Sequence, residues 1–164
     1  MNDKSLFLAI DVGTGSVRAA LVDRSGAILK LVGQEHQQIV PHYGWAEQRP
    51  EDWWNGAIAV VGQVLAAVPD AANRIEAICP CGQMHGTVLI DAAGQLTRDT
   101  APLWNDKRAQ PQVATFRKAH QPDWYLPVTA NPPTPAWPGF KLQWMKAHDP
   151  DAYARASTVF MPKD

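Results

Sequence analysis

The chain has 164 residues, of which 46% are hydrophobic and 19% are charged, as is typical of folded soluble proteins and not of disordered chains. Its formal net charge of -1 gives no electrostatic basis for binding nucleic acid or an anionic membrane. No apolar run approaches the roughly 18 to 20 residues that span a bilayer. We therefore expect neither nucleic acid nor a membrane as a partner, and the length predicts one domain.

The first apolar run, residues 6–10, is too short to be the core of a signal peptide, which needs about 7 to 15 residues. No cleavage site follows it. A buried strand is the better interpretation of this run. The expected location is therefore the cytoplasm.

Three short apolar runs occupy residues 6–10, 17–22 and 27–32, and turns that contain glycine separate them. Short apolar runs between such turns are typical of antiparallel strands joined by hairpins. The first third of the chain therefore predicts a three-stranded meander.

A helix is predicted from Pro50, because proline at the first helical position needs no hydrogen-bond donor. Glu51 and Asp52 favour the positive end of the helix dipole. Apolar residues at spacings of three and four predict one buried face, and Pro69 ends the helix. That predicted face consists of Trp54, Ile58, Val61, Leu65 and Val68, and we interpret Trp53 and Trp54 as mainly core residues.

The remaining chain alternates between strands, loops and helices. Prolines crowd residues 127–138, which we interpret as a loop. The predicted strands are 74–79, 87–90 and 158–161, and the predicted helices are 106–120 and 140–148, followed by one more helical turn.

The two cysteines, Cys79 and Cys81, form a C-P-C arrangement. This spacing is neither the C-x-x-C of redox proteins nor half of a zinc site with a visible partner pair. We predict that both are reduced and structural.

The turn after the first strand is the most informative segment for chemistry. Gly13 and Gly15 allow backbone N–H groups to converge on an anion, while Thr14 and Ser16 add hydroxyl donors. Asp11, at the end of the strand, is suited to hold a hydrated Mg²⁺ beside bound phosphates. The alternative is a plain hairpin turn, since glycine-rich turns between strands are common. The P-loop pattern GxxxxGK[ST] is absent. Gly13 and Gly15 are also not followed by the third glycine that opens a helix in the G-x-G-x-x-G motif.

This segment resembles the first phosphate motif of the FGGY carbohydrate kinases, an acid followed by G-T-x-S-x-R and a strand that ends in aspartate, which is Asp23 in this chain. The resemblance implies ATP and Mg²⁺ as cofactors. It also implies that Asp11 assists the metal through water and that Thr14, Ser16 and Arg18 lie near the transferred phosphate. The expected fold is then α/β and ribonuclease-H-like, as in actin-like ATPases and sugar kinases, with the meander, further strands and flanking helices.

A second segment, residues 82–86, resembles a signature of the xylulokinase-like members. Its two glycines bracket Gln83, Met84 and His85, which can offer hydrogen bonds and an apolar wall to a polyol. The alternatives are that Met84 fills a gap and that His85 is a core histidine with satisfied hydrogen bonds.

Residues 103–108 resemble the family's L-W-x-D-x-R stretch. Trp104 offers an apolar face to sugar C–H groups, and Asn105 and Asp106 can read hydroxyls. The alternative is that Asn105 or Asp106 caps the following helix.

Other segments resemble the family with one departure. Residues 44–48 match an acidic-polar turn, and residues 129–132 and 141–144 match stretches that line the sugar cleft. Ala130 stands where glycine is usual in the family, so the identity of the sugar is not fixed.

The resemblance implies an N-terminal, sugar-binding domain of a kinase that phosphorylates a sugar hydroxyl, D-xylulose above others. The alternatives are ribulose, gluconate or glycerol as substrate, or a non-catalytic binding module. It also implies that the catalytic aspartate and the adenosine site belong to a C-terminal domain that this chain lacks, so we expect a fragment that is inactive alone. Apolar surface left by that domain would favour a homodimer.

Overall fold

The computed structural model describes residues 5–164. They form two compact units. The first unit comprises residues 5–38, 49–83 and 162–164, and the second comprises residues 39–48 and 84–161.

Strands and helices alternate irregularly along these residues. Their order is β1 Leu6–Val12, β2 Ser16–Asp23, β3 Ile28–Glu35, β4 Glu47–Gln48, α1 Pro50–Ala67, α2 Ala71–Arg74, β5 Ile75–Gly82, β6 Val88–Ile90, β7 Ala101–Pro102, α3 Gln110–Ala119, α4 Pro122–Thr129, α5 Pro138–His148, α6 Pro150–Arg155 and β8 Thr158–Phe160. None of the helices within residues 5–164 combines the length and apolarity that crossing a membrane requires.

The first unit is a four-stranded mixed sheet with strand order β3-β2-β1-β5. The pairs β1–β2 and β2–β3 are antiparallel, which confirms the predicted meander. Strand β5 lies parallel to β1, and α1 provides the crossover that a parallel pair requires. Each strand of the meander is longer than its apolar run, because pairing extends into the polar residues at the strand ends.

Helix α1 packs on this sheet through a stripe that only partly matches the predicted face, of which Val61, Leu65 and Val68 are half-buried against the core. The prediction that Trp54 and Ile58 are core residues is wrong, since their side chains are 69% and 56% exposed. A β-carbon on Gly56 would lie 3.2 Å from Val17 Cγ2, so this glycine allows the helix to approach β2 closely. Apolar residues occur in adjacent pairs along α1, so periodicity alone did not separate the two stripes. The buried positions are Trp53, Gly56, Val60 and Val64.

Cys79 and Cys81 lie on β5, at the edge of the sheet. Both are free thiols, as predicted, but both are exposed and neither belongs to the core.

The second unit contains two small antiparallel sheets, β4–β7 and β6–β8. Helix α3 begins at residue 110, four residues later than predicted, because residues 103–109 fold as turns and Pro111 suits a helix start. Helix α4 was not predicted, since Pro127 lies inside it. The buried core consists of Leu89, Ala109, Val113, Phe140, Trp144 and Met145.

Ala130 ends α4 in the left-handed conformation, with φ of 54°. A β-carbon in this region costs about 1 to 2 kcal/mol, which is why glycine is preferred at this position of a helix end. The departure from the family pattern at residue 130 is therefore a source of backbone strain.

We predict that Ala130→Gly raises the free energy of unfolding by about 1 kcal/mol, because it relieves this strain at an exposed position. Urea unfolding of the 164-residue chain measures the change. The matched control is Ala114→Gly, exposed inside α3, where glycine should lower stability by about 0.5 to 1 kcal/mol. Equal losses in both variants would contradict the prediction.

Candidate functional site

The turn between β1 and β2 is tight and glycine-dependent. The Gly13 amide donates to the Ser16 carbonyl oxygen at 3.0 Å. A β-carbon on Gly13 would lie 3.1 Å from that oxygen, so a larger residue would distort the turn. Beside Gly15, at the tip of the turn, the space is open. The predicted phosphate-binding residues therefore surround an accessible turn of fixed shape.

Asp11 lies in a row of residues that crosses the sheet on the face opposite α1. Its direct partners in register are Arg18 on β2 and Cys81 on β5. Gly33 on β3 lies opposite Arg18 and leaves room for its side chain, whose Cγ would be 3.5 Å from an added β-carbon. The structure thus brings the predicted metal-assisting carboxylate and the predicted phosphate-binding guanidinium to adjacent positions on one face.

The thiol of Cys81 is held close to this carboxylate. Its Sγ lies 3.7 Å from Asp11 Oδ1. Burial, and after it the negative charge of Asp11, raises the pKa of Cys81 above its usual value of 9.0. Cys81 is therefore a neutral donor beside Asp11 at neutral pH.

His36, just after β3, clamps the same turn and was not singled out from the sequence. Its Nε2 lies 2.9 Å from the Gly13 carbonyl oxygen and 3.1 Å from that of Thr14. Its backbone amide donates to the Gly15 carbonyl oxygen at 3.1 Å. Nε2 must carry a proton to donate to these carbonyls, and they are thereby held on the His36 side of the turn. No local motif marks this histidine, because the contact depends on the pairing of β2 with β3.

Gln83, the last residue of the first unit's second segment, lies against the turn. The backbone amide of Gln83 donates to the Val12 carbonyl oxygen at 2.8 Å. Its side-chain Oε1 accepts from the Thr14 hydroxyl at 3.2 Å. The structure therefore places this predicted sugar-binding residue next to a predicted phosphate-binding residue.

Met84 and His85 belong to the second unit. The side chain of Met84 is 58% exposed, so it does not fill a gap in the core. His85 is half-buried and takes the left-handed conformation, with φ of 64°. Non-glycine residues are uncommon in this region, and histidine is one of the few types that are enriched there.

The His85 carbonyl oxygen is bound by Lys141 on α5, which is fully buried. Its ammonium donates to the carbonyl oxygens of His85 at 2.6 Å and Ala136 at 2.7 Å. Burial lowers the pKa of Lys141 from 10.5 to about 7; the Asp106 charge opposes this shift, and the Arg108 charge adds to it. The sequence pointed to residues 141–144 only as a stretch that resembles one lining the sugar cleft, and the contact of Lys141 with His85 was not predicted, because the two residues are 56 positions apart.

The segment of residues 103–108 is only partly accessible. Trp104 is 49% exposed, and Asn105 is half-buried. The Asp106 side chain is buried, with Oδ2 accepting from the Ala46 amide at 2.7 Å. Asp106 does not cap α3, whose N-cap is Ala109. Sugar binding by Trp104, Asn105 and Asp106 stays a prediction.

Arg108 is the buried partner of Asp106. Its Nε and Nη2 donate to the two carboxylate oxygens at 2.9 and 2.8 Å, and Nη2 also reaches Glu47 at 2.5 Å. The guanidinium carbon lies 3.9 Å from the ring centre of Trp45 and 4.9 Å from that of Trp144. This bidentate, stacked arrangement fixes residues 44–48 against residues 103–108.

We predict that Asp106→Asn destabilises the chain by about 3 kcal/mol, because it leaves a buried guanidinium without its bidentate partner. The exposed Asp99→Asn, from the same unit, should change stability by less than about 0.5 kcal/mol. Urea unfolding at pH 7 measures both. Similar values for the two variants would show that the pair is not a stabilising contact.

We also predict a pH effect from Lys141. Between pH 7 and 10.5 the unfolded chain keeps the lysine proton while the folded chain has lost it, so stability rises with pH. From pH 7.5 to 9, the wild type should gain about 1 to 2 kcal/mol relative to Lys141→Met. Urea unfolding across this range measures the difference. For Lys146→Met, on the exposed side of α5, the free energy of unfolding should change with pH as it does in the wild type. The same pH dependence in Lys141→Met would refute the lowered pKa of Lys141.

Comparisons with known proteins identify the family of the chain. Residues 6–164 match the N-terminal domain of the FGGY family of carbohydrate kinases. A xylulose kinase from Bacillus subtilis is 32% identical over 157 residues, which are 96% of this chain and 31% of the relative. A glycerol kinase from Janthinobacterium is 35% identical over 149 residues, which are 91% of this chain and 30% of the relative.

The crystal structure of a xylulose kinase from Rhodospirillum rubrum has the same fold. It superposes with a TM-score of 0.91 at 28% identity and covers 97% of this chain and 32% of the kinase. The chain thus spans about a third of the length of the relatives that it matches. The expected α/β fold of the sugar kinases is confirmed. The chain belongs to the FGGY family of carbohydrate kinases.

Proposed function

We propose that the protein containing this chain transfers the γ-phosphoryl group of ATP to a hydroxyl of a sugar, D-xylulose above others, giving D-xylulose 5-phosphate. The observation that carries the proposal is the β1–β2 turn, where Asp11 and Arg18 lie opposite each other next to an open, glycine-dependent tip. Relatives named xylulose kinase at 31 to 32% identity support the sugar. This chain is its N-terminal domain, in our proposal.

The proposed phosphate site consists of Gly13, Thr14, Gly15, Ser16 and Arg18. The backbone of the turn is held in shape by the Gly13–Ser16 contact before the nucleotide arrives. The Thr14 hydroxyl, which donates to Gln83, would turn towards a phosphate oxygen when the nucleotide binds. Arg18 supplies a permanent positive charge, and the His36 contacts hold two carbonyl oxygens on its own side of the turn.

Mg²⁺ fits this turn as a hydrated ion. It usually keeps several waters and binds through one or two carboxylates and the phosphates. Asp11 is one such carboxylate, and its neighbours Gly13 and Cys81 bring no competing charge. Residues 5–164 contain no cluster of three or more His, Cys, Asp or Glu side chains that could cage a metal. When bound, the ion would neutralise charge on the transferred phosphate, with Asp11 holding one of its waters.

The proposed sugar contacts are Gln83, Met84, His85, Trp104, Asn105 and Asp106. Exposed Met84 and Trp104 offer apolar surface to C–H groups, while His85 offers a hydrogen bond to a hydroxyl. Asp106 has a narrower part in the proposal. Its carboxylate is occupied by Arg108 and Ala46, so it supports the shape of the Trp104 turn.

The catalytic base and the adenosine site lie outside these residues in our proposal. An aspartate of a C-terminal domain would accept the hydroxyl proton, so the 164 residues alone would have negligible kinase activity. The protein would act in the cytoplasm, and apolar side chains exposed on β3 and β5 (Ile28, Leu31 and Ile78) would favour a homodimer when that domain is missing.

The whole open reading frame decides between a kinase and a binding module. A frame that continues beyond codon 164 into a second glycine-rich phosphate motif supports the kinase. The expressed protein should then release ADP in the presence of xylulose, ribulose, gluconate or glycerol, with the highest kcat/KM for D-xylulose. A higher kcat/KM for glycerol would instead favour glycerol as the substrate, as in the names of the relatives called glycerol kinase.

We predict that Asp11→Asn lowers kcat about 100-fold or more in the whole protein, because a preorganised charge next to the reacting phosphate is lost. The coupled assay of ADP release measures the change. Asp52→Asn, exposed in the first turn of α1, serves as the control and should keep wild-type activity. Full activity of Asp11→Asn would remove the carboxylate from the mechanism.

A further inference from the structure

The Met84–His85 turn is held by one buried side chain from a distant helix. Lys141 lies 56 residues after His85 in sequence, yet its Nζ is 2.6 Å from the His85 carbonyl oxygen. The second acceptor, the Ala136 carbonyl, belongs to the loop that precedes α5. The lysine thereby joins three segments of the second unit at a single atom.

A buried lysine is unusual, because the ammonium loses its hydration. The two carbonyl contacts replace part of that hydration at distances short even for charged donors. If residue 141 only filled space, an apolar side chain would do so without the free-energy cost of burying an ammonium group. The contact also falls on the one residue of this turn that has a positive φ.

We propose that Lys141 is a positioning residue for the Met84–His85 turn: by donating to the His85 carbonyl, it holds His85 in the left-handed conformation and sets the directions of both side chains. The inference rests on the proposed function where it concerns sugar binding. Its structural part stands on the contacts of residues 85, 136 and 141 alone.

The charged and titratable groups around Lys141 come from residues 103–109, β4 and the Met84–His85 turn. Residues 103–109 contribute Asp106 and Arg108, which are paired with each other, and β4 contributes Glu47 to the same pair. The Met84–His85 turn adds only the His85 imidazole. Because burial lowers the pKa of Lys141 to about 7, its bond to the His85 carbonyl should weaken as the pH rises through neutrality.

A single labelled peptide reports on this bond. His85–Gly86 is the one His-Gly pair in the 164 residues, so carbonyl-¹³C histidine with ¹⁵N glycine gives one cross-peak in an HNCO spectrum. In Lys141→Met the chemical shift of this cross-peak should differ from that of the wild type. The change of the chemical shift between pH 6 and 8 should also be smaller, because the contribution of Lys141 is absent. The difference between the two proteins isolates the contribution of the lysine. Lys146→Met should leave the cross-peak in place.

Binding is measured on the whole protein. Lys141→Met should weaken D-xylulose binding at least tenfold by calorimetry and change ADP binding less than twofold. Lys141→Gln, which keeps two N–H donors on a shorter side chain, should lie between, and it serves if Lys141→Met does not fold. An unmoved cross-peak, or wild-type sugar affinity in a protein that binds sugar, would overturn the proposal. A wild-type protein that binds no polyol rejects the proposed function instead, and the cross-peak still decides the role of Lys141.

Discussion

A buried charge must be paired, and the second unit is organised around this constraint. Arg108 and Asp106 exchange two hydrogen bonds inside the protein, and Glu47 reaches the same guanidinium from a strand far earlier in the chain. Removing Arg108 would leave the Asp106 carboxylate buried without a counter-charge, and removing Asp106 would leave the guanidinium with Glu47 alone. The pair therefore fixes how residues 44–48 meet residues 103–108. Two segments that resemble the family separately are, in the folded chain, one structure.

The same requirement operates at Lys141 with a different result. Its hydrogen-bond partners are backbone carbonyls and not a carboxylate. Burial therefore disfavours the charged form of the amine and lowers the pKa of Lys141 to about 7. The carbonyl that benefits belongs to His85, whose backbone is strained. Strain of this kind persists only where surrounding contacts enforce it. A structural cation and an exposed candidate binding turn are thus coupled through one hydrogen bond.

In the first unit the constraint is steric. Gly13 permits a turn that no larger residue could adopt without displacing the Ser16 carbonyl, and His36 holds two further carbonyls on one side. The sheet register then places Asp11 opposite Arg18. A rigid turn with a carboxylate and a guanidinium on one face suits the binding of a hydrated cation and a phosphate together. In the proposed function, this is how the segment that resembles the family's first phosphate motif would act.

The sequence by itself determined the elements whose cause is local. The meander followed from apolar runs between glycine turns, and the start of α1 followed from Pro50 and its acidic first turn. It also singled out Asp11 and Gly13 as candidates, because the motif that they form is continuous along the chain. The tertiary structure alone decided which stripe of α1 is buried, since adjacent apolar pairs such as Val60 and Val61 fit either stripe until Gly56 meets Val17. It alone revealed His36 and the contacts of Arg108 with Glu47 and of Lys141 with His85, because these partners are distant in sequence and no local pattern records a contact that only folding creates.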